Sequence, residues 1–117
     1  MANSNSDVSP ALALSPGLDL SALASHAQAA EALLKALANG NRLMILCALL
    51  AGELSVGELN LRIPLSQSPL SQHLATLRRG GQVSCRRDAQ MVYYRLSDPK
   101  VTAVIKTLHA VFCMPET

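Results

Sequence analysis

Three cysteines, Cys47, Cys85 and Cys113, are the strongest nucleophiles in the sequence. As thiolates they can bind a soft metal, take sulfur from a persulfide or close a sulfur bridge. Their odd number and wide spacing do not form the framework of a small secreted protein. A reducing cytoplasm is expected, where cysteines that pair tend to sense redox state. The second reactive set is the arginines. Six of them and a single acid, Asp88, lie between Arg62 and Arg95, giving that stretch +5 in a chain of net charge +2. A basic middle on an otherwise slightly acidic chain is the footprint expected for a polyanion, and a solvated basic face would look the same. No Ser-His-Asp arrangement, paired carboxylates or glycine-rich phosphate loop stands out, so no enzyme and no cofactor is expected.

The elements that must position these residues follow from composition and period. The chain has 117 residues, half of them apolar, with 3% aromatics and no Trp. Such a core is filled by Leu, Ala, Val and Ile, which favours packed helices over a β-sandwich. No apolar run approaches the roughly 20 residues of a membrane span, so no membrane association is expected. The N-terminal MANSNSD has no basic residue ahead of an apolar stretch, so a secretory signal is not expected. Residues 1–19 are rich in Ser, Asn and Ala and read as a flexible arm.

From Leu20 the apolar residues recur at steps of three and four, predicting a helix to about residue 37. Asn39 is placed to cap a second helix over about 40–51, with Cys47 on its apolar stripe. Ser55 and Glu58 form a capping box for a short helix to Arg62, ended by Pro64. Ser66 starts another helix carrying Leu70, Leu74 and Leu77, which Gly80-Gly81 terminates. The period then changes to two, with a turn at residues 87–90, predicting a hairpin. A last helix follows Asp98 and is stopped by Pro115. The fold class is therefore mainly α with a β-hairpin, in the order α-α-α-α-β-β-α. A pair of short helices followed by a hairpin is a winged helix-turn-helix, here one DNA-binding and dimerisation domain over 20–114.

In that architecture the second helix of the pair enters the major groove. Ser66, Gln67, Ser68, Ser71, Gln72 and His73 at its start are candidates for DNA contact. Gln can read adenine with two hydrogen bonds, and Ser discriminates less. Ser66 and Ser68 also read as helix caps alone. Arg78 and Arg79 at the helix end, Arg86 and Arg87 on the wing, and Arg42 are candidates for phosphates, which set register rather than sequence. Cys47 reads either as a reactive thiol or as a small buried hydrophobe. Cys85, on a strand face with Val83, reads as wing packing.

Several motifs occur together in one order. They are Ala36-Leu-Ala-Asn-Gly-Asn-Arg42-Leu-Met-Ile-Leu, Leu54-Ser-Val-Gly-Glu-Leu59, Leu65-Ser-Gln-Ser-Pro-Leu-Ser-Gln-His73-Leu, Arg78-Arg79-Gly80-Gly81-Gln82-Val83 and Tyr93-Tyr94-Arg95-Leu96. Over roughly residues 31–113 they resemble the ArsR/SmtB family of repressors. The resemblance implies a homodimer built on the first and last helices. It would bind an imperfect palindromic operator in double-stranded DNA and release it when an inducer is sensed.

The family's metal sites do not carry over. Ser55 and Gly57 stand where its third-helix thiolates would be, and neither is a soft ligand. On the last helix, Asp98 is followed by Lys100 rather than a histidine, and Val111 and Met114 replace the later pair. His109 reads as a helix-surface or interface residue. No metal is expected. Cys47 and Cys113, by contrast, match the pair of the family's dithiol branch, the persulfide- or redox-sensing BigR, SqrR and HlyU-like regulators. The resemblance thus implies a repressor in which persulfide, polysulfide or another oxidant links Cys47 to Cys113. The alternatives are an HlyU-like activator or antirepressor, and a metal-responsive repressor with a non-standard site.

Overall fold

A computed structural model describes residues 19–113. The N-terminal arm expected over 1–19 lies outside them except for Asp19, as do Met114 and the helix stop at Pro115. Contacts group the chain into two compact units, one ending at Ala32 and the other beginning at Leu33.

In the first unit, α1 spans Leu20–Ser25 and α2 starts at Ala27. The sequence pattern predicts one continuous helix here, and the structure breaks it at His26. The Asp19 side chain caps α1 by accepting from the Ala22 N–H at 3.1 Å. The Ser25 hydroxyl donates to the Ala22 carbonyl at 2.8 Å, a back-bond that competes with the helix ladder and bends helices. α1 buries none of its residues, and Leu20 and Leu23 are exposed.

Helix α2 (Ala27–Leu37) ends in the second unit, where Leu37 enters the core. Asn39 accepts from the Arg42 N–H at 3.0 Å and starts α3 (Gly40–Ala48), which tightens into a 3₁₀ turn at Leu49–Ala51. Strand β1 (Leu54–Ser55) leads directly into α4 (Val56–Arg62). The capping box is complete: Ser55 Oγ accepts from the Glu58 N–H at 3.1 Å, and Glu58 Oε1 accepts from the Ser55 N–H at 2.8 Å. Next come α5 (Gln67–Arg79), β2 (Val83–Asp88), β3 (Met91–Leu96) and α6 (Pro99–Cys113). Asp98 Oδ1 accepts from the Lys100 N–H at 2.9 Å at the start of α6, with Pro99 in its first turn, where a missing N–H costs nothing.

The hairpin is tighter than the sequence indicates. Asp88 pairs with Met91, so the turn is only Ala89-Gln90, with Ala89 at φ 58°. β1 adds a third strand, giving the antiparallel order β1-β3-β2. Two residues offer no visible period, which is why β1 escapes a reading of the sequence. The core is almost wholly aliphatic: Ile45, Leu46 and Leu49 from α3 and its extension, Leu59 and Ile63 around α4, Leu70, Leu74 and Leu77 from α5, Val83 from β2, and Val101 and Ile105 from α6. This core fixes α4 against α5 and sets the hairpin beside them, the architecture of a winged helix-turn-helix.

Candidate DNA interface and cysteine pair

Helix α5 turns its leucine row fully inward, with Leu70 and Leu77 at 0% exposure. The opposite face is therefore left to Gln67, Ser68, Ser71, Gln72 and Ala75, which line a shallow open groove. His73 is half-buried between the two faces. Ser66 has the extended backbone of an N-cap, yet its hydroxyl makes no capping bond. A cap serine accepts from the N–H of the second or third helical residue, and with Pro69 as the third only the Ser68 N–H is left as a capping donor. Ser66 is exposed with its hydroxyl uncommitted to capping, beside Gln67 and Ser68.

Arg78 and Arg79 occupy the last turn of α5 and are exposed. Arg79 donates to Thr76 Oγ1 at 3.3 Å. The joint to the wing turns on the glycine at 81, with little room beside the one at 80. Gly81 has φ +81°, and a Cβ on Gly80 would sit 2.5 Å from Oε1 of the buried Gln82. Tyr94 lies behind this joint. Burial raises its pKa most and the Cys85 thiol adds to the rise, while Arg78 and Arg87 oppose it. The end of α5 and the wing strand thus bring one arginine each into the field of a single tyrosine.

Two of the candidate arginines are engaged within the protein. Arg42 donates from Nε to the Ala36 carbonyl at 2.7 Å and from Nη2 to the Lys35 carbonyl at 3.1 Å, closing the end of α2. Arg86 is held by Glu53, donating from Nε to Oε2 at 2.9 Å and from Nη2 to Oε1 at 2.7 Å. Its guanidinium also lies 4.6 Å from the centre of the Tyr93 ring. Glu53 is not apparent from the sequence, because its meeting with Arg86 depends on β1 lying on the far side of β3, while Tyr93 is the direct partner of Arg86 in the hairpin.

Cys47 is half-buried on α3 and packs against the core. Cys113 is exposed at the end of α6, and α3 and α6 pack against each other. All three thiols are free. The Cys47 thiol is pushed above its ordinary pKa, first by burial and then by the charge of Cys113. The two thiols are thus within electrostatic reach of each other. Cys85 instead stands opposite Tyr94 on the hairpin. His109 and Lys100 are exposed on α6. At the third-helix position, the Ser55 hydroxyl is engaged in the capping box. Among the described residues, no three His, Cys, Asp or Glu side chains gather as a metal cluster.

A short helix pair with an amphipathic second member, capped by arginines and followed by a basic hairpin, defines a winged helix-turn-helix DNA-binding protein. Residues 39–84 match the family of bacterial regulatory proteins of the arsR type, and the chain belongs to that family. It is 53% identical over 96 residues to the transcriptional activator HlyU of Vibrio cholerae, covering 82% of this chain and 89% of the relative. The structure of reduced HlyU matches with a TM-score of 0.75 and 54% identity, covering 79% of this chain and 97% of that one. The biofilm growth-associated repressor of Agrobacterium fabrum is 43% identical over 99 residues, 85% of either chain. The transcriptional repressor BigR of Xylella fastidiosa matches with a TM-score of 0.79 and 37% identity, over 83% of this chain and 99% of that one. The protein is a DNA-binding regulator of transcription, a non-enzymatic function.

Proposed function

We propose that the protein is a homodimeric cytoplasmic repressor that releases an imperfect palindromic operator when reactive sulfur or another oxidant links Cys47 to Cys113. The observation that carries this reading is the electrostatic coupling of the two thiols on the packed helices α3 and α6. Exposure assigns the first step to Cys113. Its thiolate attacks the sulfane sulfur of a persulfide RSSH, breaking one S–S bond and forming another, and RS⁻ leaves. Cys47 then loses its proton to the leaving thiolate or solvent and attacks the Cys113 sulfur, expelling HS⁻. The net change is a two-electron reduction of the persulfide to thiol and sulfide. A longer polysulfide retains extra sulfur atoms in the bridge and relaxes the roughly 4.4–6.8 Å Cα limit of a direct disulfide.

On DNA, Ser66, Gln67, Ser68, Ser71, Gln72 and His73 are placed toward base edges, and Arg78, Arg79 and Arg87 toward phosphates. The dimer is supported by apolar side chains left in solvent: Leu20 and Leu23 in the first unit, and Leu34, Val111 and Phe112 in the second. A monomer by light scattering at micromolar concentration would refute it. The name of HlyU favours a second reading, an activator or antirepressor with the same DNA surface and switch. The position of the bound site relative to the promoter separates the two.

The deciding experiment is mass spectrometry after separate polysulfide and peroxide treatment, paired with operator binding. We expect an intrachain Cys47–Cys113 link and weakened binding. Cys47→Ser and Cys113→Ser should each bind DNA and ignore the inducer, while Cys85→Ser responds as wild type. A response that survives Cys113→Ser refutes the two-cysteine mechanism.

A further inference from the structure

The wing carries three arginines whose surroundings differ. Side chains alternate across a strand, so Arg86 and Arg87 point to opposite faces of β2. Arg87 shares its face with Cys85 and Tyr94, and its charge acts on Tyr94 together with that of Arg78. That is the face against which α5 packs. Arg86 shares the other face with its directly paired neighbour Tyr93, and Arg95 lies on that face as well.

On this second face the guanidinium is already filled. Glu53 precedes β1, Arg86 is on β2, and β3 lies between them. The ion pair therefore spans the middle strand, with Arg86 lying over the Tyr93 ring. The two donors Glu53 occupies, Nε and Nη2, form the edge through which an arginine grips phosphate with two parallel hydrogen bonds. On the remaining side, Nη1 is 3.9 Å from Asp88 Oδ2. Glu53 and Asp88 thus offset the Arg86 charge, and Arg95 on the same face also acts on Glu53. The Arg86 hydrogen bond also holds the Glu53 carboxyl below the usual carboxylate range, and it remains ionised at neutral pH.

We propose that Glu53 is a positioning residue that withholds Arg86 from DNA. Its carboxylate takes the place a phosphate would fill and pins the wing to the strand entering α4, so that the wing presents Arg87 to the backbone. Phosphate contacts strengthen binding to every sequence alike. Removing one from the wing therefore lowers affinity for random DNA without touching the base contacts of α5. By this means Glu53 limits the sequence-independent part of the affinity and leaves discrimination to α5.

The test rests on the wing lying along the DNA backbone, and the salt dependence of binding reads it directly. Each phosphate contact contributes about 0.9 to the slope of log K against log salt. Between 50 and 200 mM salt that is roughly a threefold to fourfold change in affinity for each contact. The reduced dimer is titrated with operator and with a random duplex of equal length. Glu53→Gln, which frees an arginine on both wings of the dimer, should steepen the slope by about 1.8 on both duplexes and tighten the two alike. Arg86→Met should keep the wild-type slope, and the double variant should return to it. Arg87→Met should flatten the slope by about 1.8, one contact from each wing, the internal standard for a wing contact. A slope does not depend on the active fraction of a preparation, so partial misfolding does not imitate these results. The proposal is overturned if Arg86→Met flattens the slope as Arg87→Met does, or if Glu53→Gln leaves it unchanged. An Arg87→Met variant with the wild-type slope would instead overturn the placement of the wing on DNA.

Discussion

Ser55→Ala removes the one side-chain oxygen that starts α4, and its cost can be worked out from the structure. Ser55 is 2% exposed, and its hydroxyl accepts from the Glu58 N–H. The reciprocal bond from the Ser55 N–H to Glu58 Oε1 uses backbone and survives the substitution. What is lost is therefore a single N-cap bond, worth about 0.5–2 kcal/mol. The cap oxygen is buried, so water does not replace it readily, which puts the expectation in the upper half, about 1–2 kcal/mol. A domain of this size shifts its Tm by roughly 4–8 °C for each kcal/mol. Thermal unfolding followed by circular dichroism at fixed protein concentration should show that drop. Operator affinity measured well below the transition should hardly change, because the core, not the cap, locks Leu59 against Leu70 and Leu74. Glu58→Gln keeps a capping box and should cost far less. A Ser55→Ala variant that melts with the wild type would refute the assignment of this cap as the element fixing α4.

Gln72→Ala should change preference among operator sequences by about 1–3 kcal/mol for a lost bidentate base contact, as read by competition between sites. Arg78→Ala should instead weaken all duplexes about equally. Zinc, cadmium and arsenite at one equivalent should not release the operator, as checked by fluorescence anisotropy with spectroscopic detection of bound metal. Near neutral pH, alkylation should reach Cys113 before Cys47, and the pH–rate curve of Cys47 should move to lower pH in Cys113→Ser, because the opposing charge is gone. The same raised thiol bears on stability. The folded-state pKa of Cys47 lies above its unfolded value, so the neutral thiol adds stability at and below the ordinary thiol range. That contribution is lost as pH rises through the raised value.

Where periodicity is long and caps are complete, the sequence is sufficient. The leucine row of α5 and the Ser55–Glu58 box are both legible, because helix period and capping are local. The break of the first helix at His26 is also local, yet nothing in the Ala-rich run marks it. β1 is too short to show a period, and with it went the site that depends on it. Arg86 and Arg87 are adjacent and chemically identical, and nothing nearby marks one as paired. Only the register Arg86↔Tyr93 and the sheet order bring Glu53 to the first and leave the second facing Tyr94. Sequence reasoning therefore finds a basic wing but not the division of labour within it. Similarly, it places Ser66 as a cap, and in the structure its hydroxyl makes no capping bond, with Pro69 leaving Ser68 as the one donor.

The proposed switch can be judged by the size of effect it is able to produce. A sulfur bridge between Cys47 and Cys113 acts on DNA binding as a coupling free energy, typically about 1–3 kcal/mol. The link can therefore weaken operator binding by roughly 5- to 150-fold. It does so only if the DNA-bound arrangement satisfies the bridge that much less well than the free one, since a link equally content in both shifts nothing. A bridge pulling the end of α6 toward α3 acts on the helix that bears the exposed Val111 and Phe112, and hence, in the proposed dimer, on the spacing of its two α5 helices. A single base mismatch costs about 1–3 kcal/mol. The oxidised protein should thus behave on its perfect operator much as the reduced protein behaves on a site with one or two mismatches. Oxidised binding indistinguishable from reduced binding on a graded mismatch series would show that the bridge leaves that spacing alone.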